Sequence, residues 1–370
     1  MVMEKGERSY AHGKNSPTGI LVTNLGTPDA PTSEALRKYL GEFLWDPRVV
    51  EIPRLAWWLI LKGLVLPFRP KRSAKNYLRI WDNEGSPLLL TAQKQAASLQ
   101  AYLNDQYPGP VVTALGMRYG NPSIESALEK LREANVQRVL VFPLYPQYSA
   151  ATTASTFDAV SDVFRKWRKI PEMRMINHYH DDPAYIGALA NSIREHWKRH
   201  GREGRLLMSF HGMPKRTLKA GDPYYCQCQK TGRLIAERLE MADDEWFVSF
   251  QSRFGREEWL QPYTDKTLKA WAKEGVKRVD VISPGFSADC VETLEELDLE
   301  NREVFIGGGG DEFFYIPALN ERDDHIRALG ELVMRHTQGW PGSDDGWDGE
   351  REAELREKGR QLALKAGAES

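Results

Sequence analysis

The chain has 370 residues, 41% of them apolar and 10% aromatic, enough for about two packed domains. A formal net charge of -2 excludes a basic footprint for nucleic acid, and three cysteines suit a reducing compartment better than a disulfide framework. No run approaches the ~18 apolar residues of a membrane span, and the opening MVMEKGERSYAHGKNSPTG has no apolar leader, so a cytoplasmic enzyme is expected.

Eight short apolar runs are expected as strands, in chain order: residues 19–25 (GILVTNL), 111–117 (VVTALGM), 138–145 (RVLVFPLY), 173–178 (MRMINH), 205–210 (RLLMSF), 245–251 (EWFVSFQ), 279–283 (VDVIS) and 303–307 (EVFIG). Most are continuous rather than alternating, as buried parallel strands are. Helical stretches fall between them at 123–134, 183–198, 231–241 and 264–274. Strand alternating with helix predicts an α/β chain of two Rossmann-like domains, each with a four-stranded parallel sheet flanked by helices. The expected boundary is the segment HYHDDP. It divides the chain into a domain over 17–180, a domain over 181–320, a closing helix over 321–340 and a charged tail, read as a solvated helix, over 341–370.

In an open α/β sheet, ligands bind beyond the carboxyl ends of the strands. His211 stands there, at the end of LLMSFHGMP, followed by a glycine that allows close approach and a proline that stiffens the turn. A histidine so placed exchanges protons near neutral pH or ligates a metal. After the run 279–283, Asp289, Glu292 and Glu296 fall three and four residues apart, on one helical face. Like charges in a row call for a cation or a proton, although acids at a helix start also suit the dipole.

Other segments offer a ligand surface. The stretch 143–156, PLYPQYSAATTAST, sets Tyr148, Ser149 and Thr152 between a strand and a helix; its hydroxyls suit carboxylates, and also helix capping. Arg118 and Tyr119 follow the second strand, and Arg79 precedes Gly85-Ser86-Pro87. Either arginine can grip a ligand carboxylate bidentately or form a surface ion pair. The stretch 55–68, LAWWLILKGLVLPF, is too short to span a bilayer. It is a buried helix or an exposed lip for a membrane surface, with Arg54, Arg69, Lys71 and Arg72 suiting anionic headgroups. Cys226 and Cys228 are too close for an ordinary metal site and read as free thiols. The run of glycines at 307–310, placed after the last expected strand, matches no nucleotide motif.

Taken together, these residues resemble the ferrochelatase family. The likeness covers roughly 18–339 through LVTNLGTPDAP, the GSP after Arg79, GMRYGNP, FPLYPQYSAATTAS, LLMSFHGMP, KAGDPYY, FQSRFG, WLQPYTD, PGFSADCVETLEEL and YIPALN. It implies two Rossmann-like domains related by duplication, with a porphyrin cleft between them, and insertion of Fe²⁺ into protoporphyrin IX to give protohaem. His211, Glu292 and Glu296 match the family's catalytic positions, with His211 and Glu292 as transient iron ligands. Leu25, Arg79, Arg118, Tyr119, Tyr148, Ser149 and Thr152 are the expected porphyrin contacts. Many relatives carry a histidine two residues before the glutamate, where this chain has Cys290. Some bind a [2Fe–2S] cluster through a cysteine-rich C-terminal extension. No cysteine follows Cys290, so no cofactor is expected, Fe²⁺ being a substrate. The alternatives are a chelatase for coproporphyrin or for another tetrapyrrole and metal, and a two-lobed tetrapyrrole-binding protein.

Overall fold

The computed structural model describes residues 12–255 and 257–369; the first eleven residues, part of the opening stretch read above, lie outside the described residues. The run TGILVTNLGT forms β1 (Thr18–Thr27), in which only Leu25 is not fully buried. A strand buried on both faces needs neighbours on both edges and helices above and below. β2 (Val111–Gly120) and β3 (Arg138–Pro143) flank it in parallel, and β4 (Glu172–Met175) pairs with β3, giving the order 2-1-3-4. The second half repeats the plan. β5 (Arg205–His211) lies between β6 (Trp246–Gln251) and β7 (Arg278–Ile282), with β8 (Glu312–Ile316) outside β7, giving 6-5-7-8.

The repeat extends to detail. After its second strand each half returns to form one isolated parallel bridge, Met117 with Ser123 and Phe250 with Tyr263. A helix follows directly in each case, Ile124–Glu133 and Thr264–Lys273. The chain is thus a doubly wound α/β protein with two all-parallel sheets. One apolar core runs through both: Ile20, Leu140 and Phe142 of the first sheet join Tyr185 and Ile193 of the helix Pro183–His200 and Leu206, Met208 and Phe210 of β5. Among the described residues, no helix is long and apolar enough to cross a membrane.

Two expectations need correction. Residues 303–307 are not a strand: they lie in the helix Asn301–Gly307, and the last strand is β8, nine residues further on. A short apolar run alone does not distinguish a buried strand from a buried helix. Here the helix beginning at Glu292 continues through Phe305 because no breaker intervenes. The glycine run therefore precedes the last strand. It turns the chain tightly over Phe305, whose ring would lie 2.2 Å from any Cβ at Gly310. The helix expected over 231–241 begins earlier, spanning Tyr224–Arg238, with its first amide held by the carboxylate of Asp222.

The stretch 55–68 presents an apolar surface to solvent. The helix Arg54–Ile60 passes through a π-helical turn, Leu61–Val65, into the helix Leu66–Ile80. Trp57, Leu61 and Leu66 pack inward, whereas Leu55, Leu59, Leu64 and Phe68 are 78%, 60%, 64% and 70% exposed.

Candidate active site

β5 is extended by one residue beyond its apolar run, so His211 is its last residue, in register with Gln251 at the end of β6. The half-buried imidazole directs Nδ1 at the carbonyl of Gly212, 2.7 Å away. A carbonyl only accepts, so Nδ1 carries a proton, and in the neutral imidazole the lone pair belongs to Nε2. Gly212 cannot be replaced cheaply, because a Cβ there would meet the carbonyl oxygen of Gln251 at 2.6 Å.

Gln251 joins the histidine to the acids. Its Oε1 accepts from Ser209 Oγ at 2.7 Å, and its Nε2 donates to the backbone carbonyl of Glu292 at 2.7 Å. The acids lie on a nine-residue π-helix, Glu292–Glu300, rather than an α-helix. Such segments concentrate at functional sites. Glu296 Oε1 accepts from the Ser252 amide at 2.7 Å, and its other oxygen accepts from the Ser252 hydroxyl. Burial nevertheless pushes this carboxyl up to about 7, against those hydrogen bonds and with help from the charge of Glu292. Glu296 is therefore poised between acid and base at neutral pH.

The acidic row holds two members, not three. Asp289 lies ahead of the helix and is 7% exposed. It accepts from Tyr315 Oη at 2.6 Å, Thr293 Oγ1 at 2.9 Å and Asn320 Nδ2 at 2.8 Å, so it is a structural tie. Glu295, which sequence reasoning passed over, is more deeply buried than either neighbour, at 2% exposure. Burial raises its carboxyl, while Arg79 Nη1 at 2.8 Å and Asn76 Nδ2 at 2.9 Å hold it down. Arg79 thus bridges the two halves of the chain, and its guanidinium is occupied by Glu295. A buried glutamate beside two candidate ones has no distinguishing mark in the run LEEL.

Cys290 is buried, and its thiol is pushed up by burial and then by the charge of Glu292 beside it. Facing Glu292 from the first half are Tyr39 and Tyr77, whose hydroxyls are held protonated by burial, with the Glu292 charge adding. Tyr39 Oη donates to the carbonyl of Gly26, at 3.1 Å. Only glycine fits there: φ is +108° and a Cβ would lie 1.8 Å from the carbonyl oxygen of Tyr119.

The remaining expected contacts form the first half's wall. Arg118 Nε donates to the carbonyl and hydroxyl of Ser155, and Nη2 pairs with Asp46. Tyr119 is 2% exposed, and its hydroxyl donates to Asp46 at 2.8 Å. Burial raises the Asp46 carboxyl, but hydrogen bonds from Ser155, the Arg48 amide and Tyr119, with the Arg118 charge, bring it below the usual range. Arg118 and Tyr119 line an open depression of about 700 Å³ with Trp45 and Arg54. Leu25, half-buried, packs beside the cluster of Tyr39 and Tyr119.

The loop of Tyr148 is tied to the second half. Tyr148 N donates to Gln227 Oε1 at 2.7 Å, and Asp222 Oδ2 accepts from Ser149 Oγ at 3.2 Å and Ala150 N at 2.8 Å. Ser149 then caps a second π-helical turn, Ala150–Ala154, to which Thr152 belongs. Ser149 thus holds the loop in place, leaving the half-buried Tyr148 and Thr152 as the groups on offer to a ligand. The cysteines carry no disulfide: Cys226 is exposed, and Cys228 and Cys290 are buried free thiols.

A ferrochelatase family model matches residues 17–337. The chain belongs to the ferrochelatase family. The ferrochelatase of Thioalkalivibrio sulfidiphilus is 58% identical over 98% of both chains, and that of Nitrosococcus oceani is 56% identical over 98% of this chain and 99% of its own. Among solved structures, SirB from Bacillus subtilis with Fe³⁺ superposes with a TM-score of 0.52 at 11% identity, covering 89% of this chain and all of SirB. That likeness concerns the fold alone; the ferrochelatase assignment rests on the family match and the near-full-length identities.

Proposed function

We propose that this ferrochelatase inserts Fe²⁺ into protoporphyrin IX with His211 Nε2 as the first acceptor of the pyrrole protons. The enzyme is a metal chelatase of haem biosynthesis. Metallation exchanges two pyrrole protons for one Fe²⁺ and leaves the charge of the macrocycle core unchanged, so catalysis needs a proton acceptor more than a counter-ion. The observation that carries the proposal is the Nδ1 contact with the Gly212 carbonyl, which fixes the tautomer and leaves Nε2 bare.

Glu292 and Glu296 form the onward path. Glu296, held near pH 7, takes a proton without committing to it. Glu292, beside the thiol of Cys290 and facing the phenols of Tyr39 and Tyr77, offers iron a carboxylate. The ring rests against Leu25, Tyr119, Tyr148 and Thr152, with Arg118 and Ser149 holding that wall for its propionates. Arg79 acts from a distance by fixing the acidic helix through Glu295. The exposed row Leu55, Leu59, Leu64 and Phe68, with Lys71 and Arg72 beside it, makes a peripheral contact with an anionic membrane surface. Arg54 and Arg69 contribute less, since Arg54 is bound to the carbonyls of Trp45 and Val50 and Arg69 stacks over Phe254.

The test is anaerobic incubation of the protein with Fe²⁺ and protoporphyrin, followed by loss of porphyrin fluorescence. The wild type should consume the fluorescence. His211→Ala should bind porphyrin and lose turnover by a factor of about 10²–10⁴. Near-normal turnover in that variant would remove His211 from the mechanism.

A further inference from the structure

A second group of donors lies where the first half of the chain passes into the second. Beyond β4 the chain leaves the sheet, and Tyr179 turns into the core, 2% exposed, with its ring 5.7 Å from Phe142 and 5.1 Å from Tyr185. On either side of it His178 and His180 meet, ring centroids 5.0 Å apart, with His178 exposed and His180 6% exposed.

The buried imidazole is unsatisfied. His180 Nδ1 has no hydrogen-bond partner, although it is shielded from solvent. The facing polar atom is Asp181 Oδ1, at 3.8 Å, beyond hydrogen-bond range. Asp181 Oδ2 is meanwhile fixed by Lys230 Nζ at 2.6 Å. One donor atom each from His178, His180 and Asp181 lies within 4.8 Å of the others.

We propose that His178, His180 and Asp181 bind one divalent transition-metal ion at a site separate from His211. Two imidazoles and a carboxylate suit zinc, cobalt, nickel or ferrous ions and not the oxygen-seeking magnesium and calcium. A tetrahedral ion with bonds of about 2.0–2.2 Å holds its donors about 3.3–3.6 Å apart. Asp181 Oδ1 needs to close by less than about half an ångström, and the exposed His178 ring rotates to complete the set, leaving a fourth position for water. Lys230 plays the part of the outer-shell group that orients a ligating carboxylate. Its charge, with that of Arg335 on the neighbouring Asp182, opposes the ion and keeps the affinity moderate.

The site also lies on the strut that carries the Tyr148 loop. The carbonyl of His180 accepts from Thr231 Oγ1 at 2.8 Å, and that hydroxyl accepts from Gln147 Nε2 at 3.0 Å. A bound ion therefore braces the joint between the halves just behind the porphyrin wall.

The experiment uses the full chain carrying His211→Ala and Glu292→Gln, so that iron's proposed catalytic ligands are absent. Equilibrium dialysis against Co²⁺, with the visible d–d absorbance of the bound ion, gives stoichiometry and geometry together. One Co²⁺ per chain is expected. Adding His178→Ala should weaken its binding at least about tenfold and change the absorbance. His180→Ala should do the same, but His178 is exposed and its removal leaves the fold intact, so that variant decides. A parent that binds no Co²⁺, or one whose binding His178→Ala leaves unchanged, overturns the proposal.

Discussion

The two halves share a sheet order and a bridge-then-helix sequence, yet their strand ends are chemically opposite. At the end of β2, Arg118, Tyr119, Ser155 and Asp46 bind one another in a largely buried network. At the end of β5, His211 keeps a nitrogen free, and the helix beyond β7 keeps a carboxyl near pH 7. One scaffold, used twice, has become a wall that holds and a wall that titrates. Rigidity in the first half comes from satisfied hydrogen bonds. In the proposed mechanism, reactivity in the second comes from leaving a few groups under-satisfied beside a low-dielectric surface.

That division can be broken at several points. Among the acids, the largest effect is expected for Glu292→Gln, which keeps the shape of the side chain while removing its charge. Single-turnover rates under anaerobic conditions should fall about 10²-fold or more with porphyrin affinity within a few-fold; an unchanged rate would take Glu292 out of the reaction. Glu296→Gln should slow turnover about tenfold and, more tellingly, erase the rise in rate through pH 7 that the free carboxylate produces. A rise that persists with the same midpoint would assign it to another group.

The same substitution carries a stability signature. The folded carboxyl titrates above the ~4.3 of a free glutamate, so the folded state favours the protonated form, and that contribution is lost as pH rises from about 4 through 7. Glu296→Gln should therefore gain thermal stability over the wild type at pH 8 and little at pH 4. Arg79→Met tests the tie between halves. It strands the buried Glu295 and should cost about 1–3 kcal/mol in denaturant unfolding, the lower end reflecting the half-exposed arginine. An unchanged midpoint would make the pair ornamental. The smallest catalytic effect belongs to the lip. Leu59→Asp with Leu64→Asp should reduce sedimentation with anionic vesicles about tenfold and leave kcat with detergent-dispersed porphyrin unaltered.

Much of this was legible in the sequence because its signals are local. An apolar run ending in His-Gly at residues 211 and 212 states where a buried strand stops, and seven of eight strands follow from such runs. The eighth was misplaced because EVFIG is equally at home in a buried helix, and only the unbroken chain from Glu292 decides between them. The site was harder where tertiary forces act. Three π-helical segments coincide with the lip, the Tyr148 loop and the acidic helix, and the sequence offered no signal for any of them. Nothing in DCVETLEE separates Asp289, consumed by Tyr315, Thr293 and Asn320, from Glu292, which faces Tyr39 and Tyr77. Residues offered as ligands from their chemistry, Arg79 and Ser149, found protein partners because burial demands satisfaction wherever it can be had.

The division of labour is tested most directly by anaerobic stopped-flow fluorescence on two variants, reading porphyrin affinity and the single-turnover rate from the same traces. His211→Ala should lose the rate and keep the affinity, and Tyr148→Ala should lose affinity and keep the rate at saturating porphyrin. If either variant loses both in equal measure, or His211→Ala turns over like the wild type, the two walls do not divide the work.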